Sequence, residues 1–204
     1  MIPGVILAAG ASSRMGRPKP MLPIGEKGET FLSRIATTLR AANIDDILVV
    51  VNRDLPDFSD NLPSGTLPLG FVLNEHPERG QLSSLLTALR VIDHPGVKGM
   101  LVTLVDLPLV SAETVKTLLA AHRLTAAPIV RPACQGRHGH PVIFDVRIFS
   151  DLYRASPKFG AKGVIRAYSS EILNVEVNDS GVFTDIDTPE AYRTNIGREF
   201  PEIS

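Results

Sequence analysis

The 204-residue chain has a single cysteine, no tryptophan, and aromatic side chains at only 5% of its positions. Cys134 on its own excludes an intramolecular disulfide and a multi-cysteine zinc site, and it fits a reducing compartment. No activating pattern surrounds it, so it reads as a small buried or half-buried thiol. An excess of either charge is also missing: 21 Lys and Arg stand against 22 Asp and Glu, a formal net charge of -1 at pH 7. That excludes a general electrostatic footprint for nucleic acid or an anionic membrane, so any anion binding must be local. The apolar runs are far too short to span a bilayer, and the opening MIPGVILAAG carries no basic leader, so the expected location is cytoplasmic. His76, His94, His122 and His138 are too scattered to form a metal-binding pair.

What is present is one substantial core: hydrophobic residues make up 44% of the chain, and no linker, repeat or low-complexity tract divides it. A single domain over residues 1–204 is expected. Apolar, β-branched runs recur at Val5–Ala9, Ile47–Val51, Leu69–Leu73, Met100–Val105 and Pro128–Val130, with amphipathic segments between several of them. Strands that alternate with helices predict an α/β fold, a Rossmann-like three-layer, mostly parallel sheet with helices on both faces. The segment after Thr30 places Phe31, Ile35 and Leu39 at helical spacing, with Thr30 as N-cap and Asn43 as stop. QLSSLLTALRVI repeats the pattern, and a third helix is predicted after Ser111. Beyond residue 130 the alternation weakens, which predicts antiparallel additions at a sheet edge. The proline-rich segment 54–68 reads as a long surface loop.

In such a sheet, ligands bind outside the carboxyl ends of the strands, so the residues that follow each strand are the candidates. After the first strand comes GASSRMGRPK. Its small residues let backbone approach a ligand, successive amides can cradle phosphate oxygens, and Arg14 and Lys19 can neutralise them. The spacing is neither GxGxxG, since position 12 is serine, nor GxxxxGK[ST], since position 15 is methionine. The alternative is a solvated basic loop without a ligand. After LVTLV comes Asp106, a hard carboxylate suited to magnesium, or else simply a turn former. In FTDIDTPEAY, Asp185 and Asp187 would point the same way if extended, although Asp187 or Thr188 could instead cap the helix that begins at Pro189.

In this order, LAAGASSRMGRPK, VDLP and DIDTPEAY resemble the MobA-like NTP transferase family, whose pattern opens LAAGxSxRMGxxK. The resemblance implies a Rossmann-like nucleotidyltransferase whose first loop holds the triphosphate of an NTP. It implies that Leu7, Ala8, Ala9 and Gly10 meet the nucleotide, that Arg14 and Lys19 meet phosphates, and that Asp106 and Asp187 hold Mg²⁺, with Arg14, Lys19 and Asp106 as the catalytic set. Within the family, ERGQLSSLLTAL and GRHGHPVIF look most like the molybdenum cofactor cytidylyltransferase branch. Guanylyltransferase members tend to have a Gly-Pro-Leu type sequence in the first of these segments. Gly80, Gln81, Ser83 and Ser84 would then read the base, with CTP favoured, and His140 would contact the acceptor or only fix its turn. The implied acceptor is a phosphorylated small molecule, molybdopterin above all, with delivery of the product to a molybdoenzyme or its chaperone. The rival readings are a sugar-1-phosphate nucleotidyltransferase and a non-catalytic nucleotide-binding module.

Overall fold

The computed structural model describes residues 1–25, 28–53 and 69–201. Its strands are β1 (Gly4–Leu7), β2 (Ile47–Val51), β3 (Gly70–Leu73), β4 (Gly99–Leu104), β5 (Ile129–Cys134), β6 (Arg137–His138), β7 (Val142–Asp145) and β8 (Ile172–Glu176). Its helices are α1 (Phe31–Ala41), α2 (Gln81–Ile92), α3 (Ala112–Thr125), α4 (Phe149–Tyr153), α5 (Gly160–Ala167) and α6 (Pro189–Ile196). Among the described residues they build one sheet in the order β3-β2-β1-β4-β7-β5-β6, with β8 paired to β5. Pairing is parallel from β3 through β2 and β1 to β4, and β8 runs parallel to β5.

Alternation along the strands creates two cores, because successive side chains leave opposite faces. Ile6, Val49, Leu101, Val130 and Ile143 pack under α1, α3 and α6. Val5, Leu7, Val50, Val102, Val142 and Phe144 pack on the other face under α2, α4 and α5. Truncating a fully buried contact such as Leu118 or Leu89 to alanine costs about 2–5 kcal/mol.

The helices start where the sequence predicts. Thr30 accepts from Ser33 N while the Ser33 hydroxyl accepts from Thr30 N, which closes a capping box on α1. Asn43, just past α1, has a left-handed φ of 63°. Ser111 caps α3 through Thr114 N.

The expected antiparallel edge addition is met by the short β6, which pairs antiparallel to β5 at the end of the sheet order, but β7 differs from expectation. β7 is not an edge addition but lies inside the sheet, antiparallel to both β4 and β5. Its four residues, VIFD, are all buried, so the strand needs cover on both faces, and only an interior place supplies it. The segment 54–68, read from sequence as a surface loop, lies outside the described residues.

Candidate active site

Strands β1 and β4 run side by side, and both carboxyl ends open into one cleft of about 230 Å³. Leu7, Ala9, Gly10, Lys19, Gly80, Gln81, Ser84 and Asp106, all candidates from sequence, are among the residues that line it. Ala8 faces inward, 1% exposed, and its amide extends the β1–β2 ladder by donating to Val50 O at 2.9 Å.

The first loop is held by a few specific contacts. Met15 is buried and acts as an apolar anchor, while Ser12 takes a left-handed φ of 48° and its carbonyl accepts from Met15 N at 2.9 Å. The Ser12 hydroxyl accepts from Lys19 N at 3.2 Å, so the loop folds back and brings the lysine to the cleft. At the far side, Tyr192 of α6 donates its hydroxyl to Pro23 O at 2.6 Å and stacks on Phe31 at 6.1 Å. That ties the C-terminal helix to the segment that follows the first loop.

Lys19 is the centre of the site. Its ammonium lies 3.1 Å from Asp106 Oδ2 and also bonds Asp187 Oδ1. Arg14 is more exposed, and its guanidinium is 3.8 Å from Asp187 Oδ2. The two aspartates are brought together by backbone: Ile186 N donates to Asp106 O at 2.9 Å, and the Ile186 side chain is fully buried. Period-two alternation then turns Asp185 and Asp187 away from the core, on either side of Ile186. The choice left open for the cap of α6 is settled by Thr188, whose hydroxyl accepts from Ala191 N at 3.1 Å, leaving Asp187 to bond Lys19.

Burial opposes the charge on Lys19, yet the bonds to Asp187 and the field of Asp106 outweigh it and raise its pKa. Burial raises the Asp106 carboxyl above the usual carboxylate range despite the nearby ammonium. The Lys19 bond holds Asp187 below that range. Burial, reinforced by the charges of Asp106 and Asp187, raises Asp185.

The donor set fits a divalent cation of the Mg²⁺ type. Asp106 and Asp187 converge on one cationic group, and the buried Asp106 Oδ1 has no hydrogen-bond partner. Among the described residues no His, Cys, Asp or Glu trio completes a cage. Mg²⁺ needs none, since it takes one or two carboxylates and fills its shell with phosphate oxygens and water.

Two residues that sequence reasoning missed support the site. Asn74 is 2% exposed; its side-chain amide donates to Ser83 Oγ at 2.8 Å and Ser84 Oγ at 2.9 Å, and its oxygen accepts from His76 N at 3.0 Å. The Ser83 hydroxyl is also within bonding distance of His76 O and Gly80 O, so it fastens the turn before α2, while Ser84 faces the cleft. Gly80, at the N-terminus of α2, has a left-handed φ of 82° that favours glycine. Asn52 is likewise buried and donates to Ala9 O at 3.3 Å. Both asparagines directly follow an apolar strand, the same signal that singles out Asp106.

A second cleft of about 560 Å³ adjoins the first at Leu7, Gly80 and Gln81. Arg79, Arg131, Lys162 and Arg166 supply its cations, and Val102, Val142 and Phe144 are among its apolar lining. His140 also lines it, and burial lowers its pKa to about 4, so the ring is neutral at pH 7. His140 N donates to Val182 O at 2.8 Å. A Cβ on Gly139 would stand 1.9 Å from the same carbonyl oxygen, which is why only glycine fits there.

Known proteins share this sequence pattern and fold. The family model of the MobA-like NTP transferase domain matches residues 4–172. The molybdenum cofactor guanylyltransferase of Rhizobium meliloti (strain 1021) is 31% identical over 94% of this chain and 88% of its own. The purine catabolism protein PucB of Bacillus subtilis (strain 168) is 28% identical over 93% of each chain. The manganese complex of Rv0371C from Mycobacterium tuberculosis H37Rv superposes with a TM-score of 0.73 at 27% identity, covering 97% of this chain and 98% of that one. Among the described residues no helix is long and apolar enough to cross a membrane.

Proposed function

The chain belongs to the MobA-like NTP transferase family, and on that premise we propose that it transfers CMP from CTP to a phosphorylated acceptor, molybdopterin in the first instance, and releases pyrophosphate. The observation that carries the reading is the convergence of Lys19, Asp106 and Asp187 at the cleft bordered by Gly10 and Ser12. An acceptor phosphate oxygen bonds to the α-phosphorus while the bond to the pyrophosphate oxygen breaks. An ionised phosphate is already a nucleophile, so the protein aligns the two reactants and stabilises charge. Lys19 and Arg14 neutralise the α-phosphate and the leaving pyrophosphate, and backbone from Leu7 to Gly10 seats the nucleotide.

Asp106 and Asp187 would hold Mg²⁺, which supplies charge neutralisation between the phosphates. The manganese bound to the Mycobacterium tuberculosis relative supports a divalent cation in this fold. The N-terminus of α2, with Gly80, Gln81 and Ser84 at the cleft, is the base-reading wall, while Ser83 acts through the turn it fastens. The second cleft suits the acceptor: its cations match a phosphate, and its apolar lining matches a ring system. Delivery of the finished cofactor to a molybdoenzyme or its chaperone would follow.

The name of the Rhizobium meliloti relative makes GTP the competing nucleotide. The test is pyrophosphate release with Mg²⁺, each of the four NTPs in turn, and molybdopterin or its molybdenum-loaded form. Release with CTP supports the full reading, and release with GTP reverses the base assignment. A sugar 1-phosphate that replaces molybdopterin as acceptor would point to the sugar-nucleotide reaction. Binding of NTP with no release under any condition would make the chain a nucleotide-binding module.

A further inference from the structure

The Lys19 ammonium stands between the two carboxylates that would hold the divalent cation. We infer that Lys19 is an exchangeable placeholder for that cation: it keeps Asp106 and Asp187 paired until a triphosphate arrives, so that the metal enters with the nucleotide rather than ahead of it. The inference rests on the reading of Asp106 and Asp187 as the metal-holding pair.

The charge balance points this way. Asp106, Asp187 and the nearby Asp185, set against the Lys19 ammonium and the Arg14 guanidinium, 3.8 Å from Asp187, leave only a single net negative charge. A divalent ion arriving alone therefore meets little attraction. It must also displace a lysine whose side chain is only 15% exposed, and a part-buried ammonium without a counter-charge is unfavourable. A triphosphate changes both conditions. Lys19 lines the same cleft as Gly10, Ser12 and Gly80, so phosphates seated there give the ammonium new anionic partners. Its backbone stays pinned, because Lys19 N donates to Ser12 Oγ at 3.2 Å, and only the side chain has to swing. Departure of the ammonium frees Asp106 Oδ2 and Asp187 Oδ1, which join the unpartnered Asp106 Oδ1 as hard oxygen donors. Asp185, close enough for its charge to act on both, adds to the negative field left behind.

The test is Mn²⁺ binding without nucleotide, read from the electron paramagnetic resonance signal of the free ion. Lys19→Met and Lys19→Gln are compared with the parent chain; glutamine keeps a hydrogen-bond donor at the carboxylates should methionine fail to fold. Removing a positive charge next to a divalent ion is expected to tighten Mn²⁺ binding on the order of tenfold or more. Binding no tighter than the parent's in the folded variants overturns the placeholder role. Adding Asp106→Asn to the tightened variant should abolish the gain, and a gain that survives would overturn the assignment of the metal pair itself. If neither lysine variant tightens while Asp106→Asn still removes Mn²⁺ binding in the presence of CTP, the placeholder role falls and the metal pair stands.

Discussion

Lys19 Nζ lies 3.1 Å from Asp106 Oδ2, although 87 residues separate the two in the chain. The contact exists because β1 and β4 are parallel neighbours in register, so the loops that follow them leave the sheet at the same edge. A basic loop and a lone aspartate thereby become one charged centre, and the first prediction concerns its cation.

In the proposed reaction, Lys19→Ala removes the charge assigned to stabilising the α-phosphate and the leaving pyrophosphate. By analogy with loss of one transition-state donor, kcat is expected to fall on the order of 10²- to 10³-fold. Steady-state pyrophosphate release at saturating NTP measures this, and near-normal turnover would remove Lys19 from the catalytic set.

Asp106→Ala should abolish metal-dependent turnover and leave the fold intact, since Lys19 keeps Asp187 as counter-charge when the Oδ2 bond is lost, Asp106 Oδ1 has no partner, and the bond from Ile186 N goes to the Asp106 backbone carbonyl. Circular dichroism and a thermal melt accompany the assay. A variant that unfolds would instead make Asp106 a turn former.

Asn74→Ala leaves Ser83, Ser84 and the His76 amide without their shared partner. A loss of about 1–3 kcal/mol in stability is expected from unpaired buried groups. The KM for nucleotide should rise more than kcat falls, because in the proposed reading the turn before α2 shapes the base-reading wall and not the reacting atoms. Urea titration and a full kinetic profile separate the two effects.

His140 gives a pH dependence. Burial lowers its folded-state pKa to about 4, while the unfolded chain titrates near 6.5 or so. Between those values the unfolded state binds more protons, so stability falls as pH drops from the upper value toward the lower. Melting temperatures across this range should fall less steeply in His140→Gln than in the parent chain. Parallel curves would show that His140 does not carry the dependence.

Asp179 gives a second one at lower pH. Burial alone would raise its carboxyl, but bonds from Thr114 Oγ1, Ser111 N and Gly181 N outweigh it and lower the pKa. Its stabilisation is present above the unfolded value of roughly 3.9 and is lost as pH falls through the lower folded value. Asp179→Ala should lower the melting temperature at neutral pH and narrow its gap to the parent chain in acid. Because Asp179 ties the start of α3 to the segment that leads to Asp187, turnover should drop as well.

Much of this was legible in the chain itself. The Thr30 cap, the span of α2, the Ser111 start of α3 and the strand Ile47–Val51 follow from periodicity and capping chemistry, which are local. Asp106, Gly10 and Lys19 stood out because they follow apolar strands in a fold whose ligands bind at strand ends. Asn52 and Asn74 carried the same signal, yet an asparagine after a strand also marks an ordinary turn, and its buried hydrogen bonds are long-range facts. The interior place of β7 was equally hidden, since VIFD fits an edge or a central strand until its neighbours are known.

The sequence by itself determined which segments become strands and helices and which residue types wait at their ends, because propensity, alternation and capping act over a few neighbouring positions. Only the tertiary structure decided that Thr188 caps α6 and frees Asp187, that Ile186 stitches it to Asp106, and that Lys19 bridges the two aspartates. The physical reason is range: a hydrogen bond or ion pair across the cleft depends on strand order and on distances of a few ångströms that no local pattern encodes.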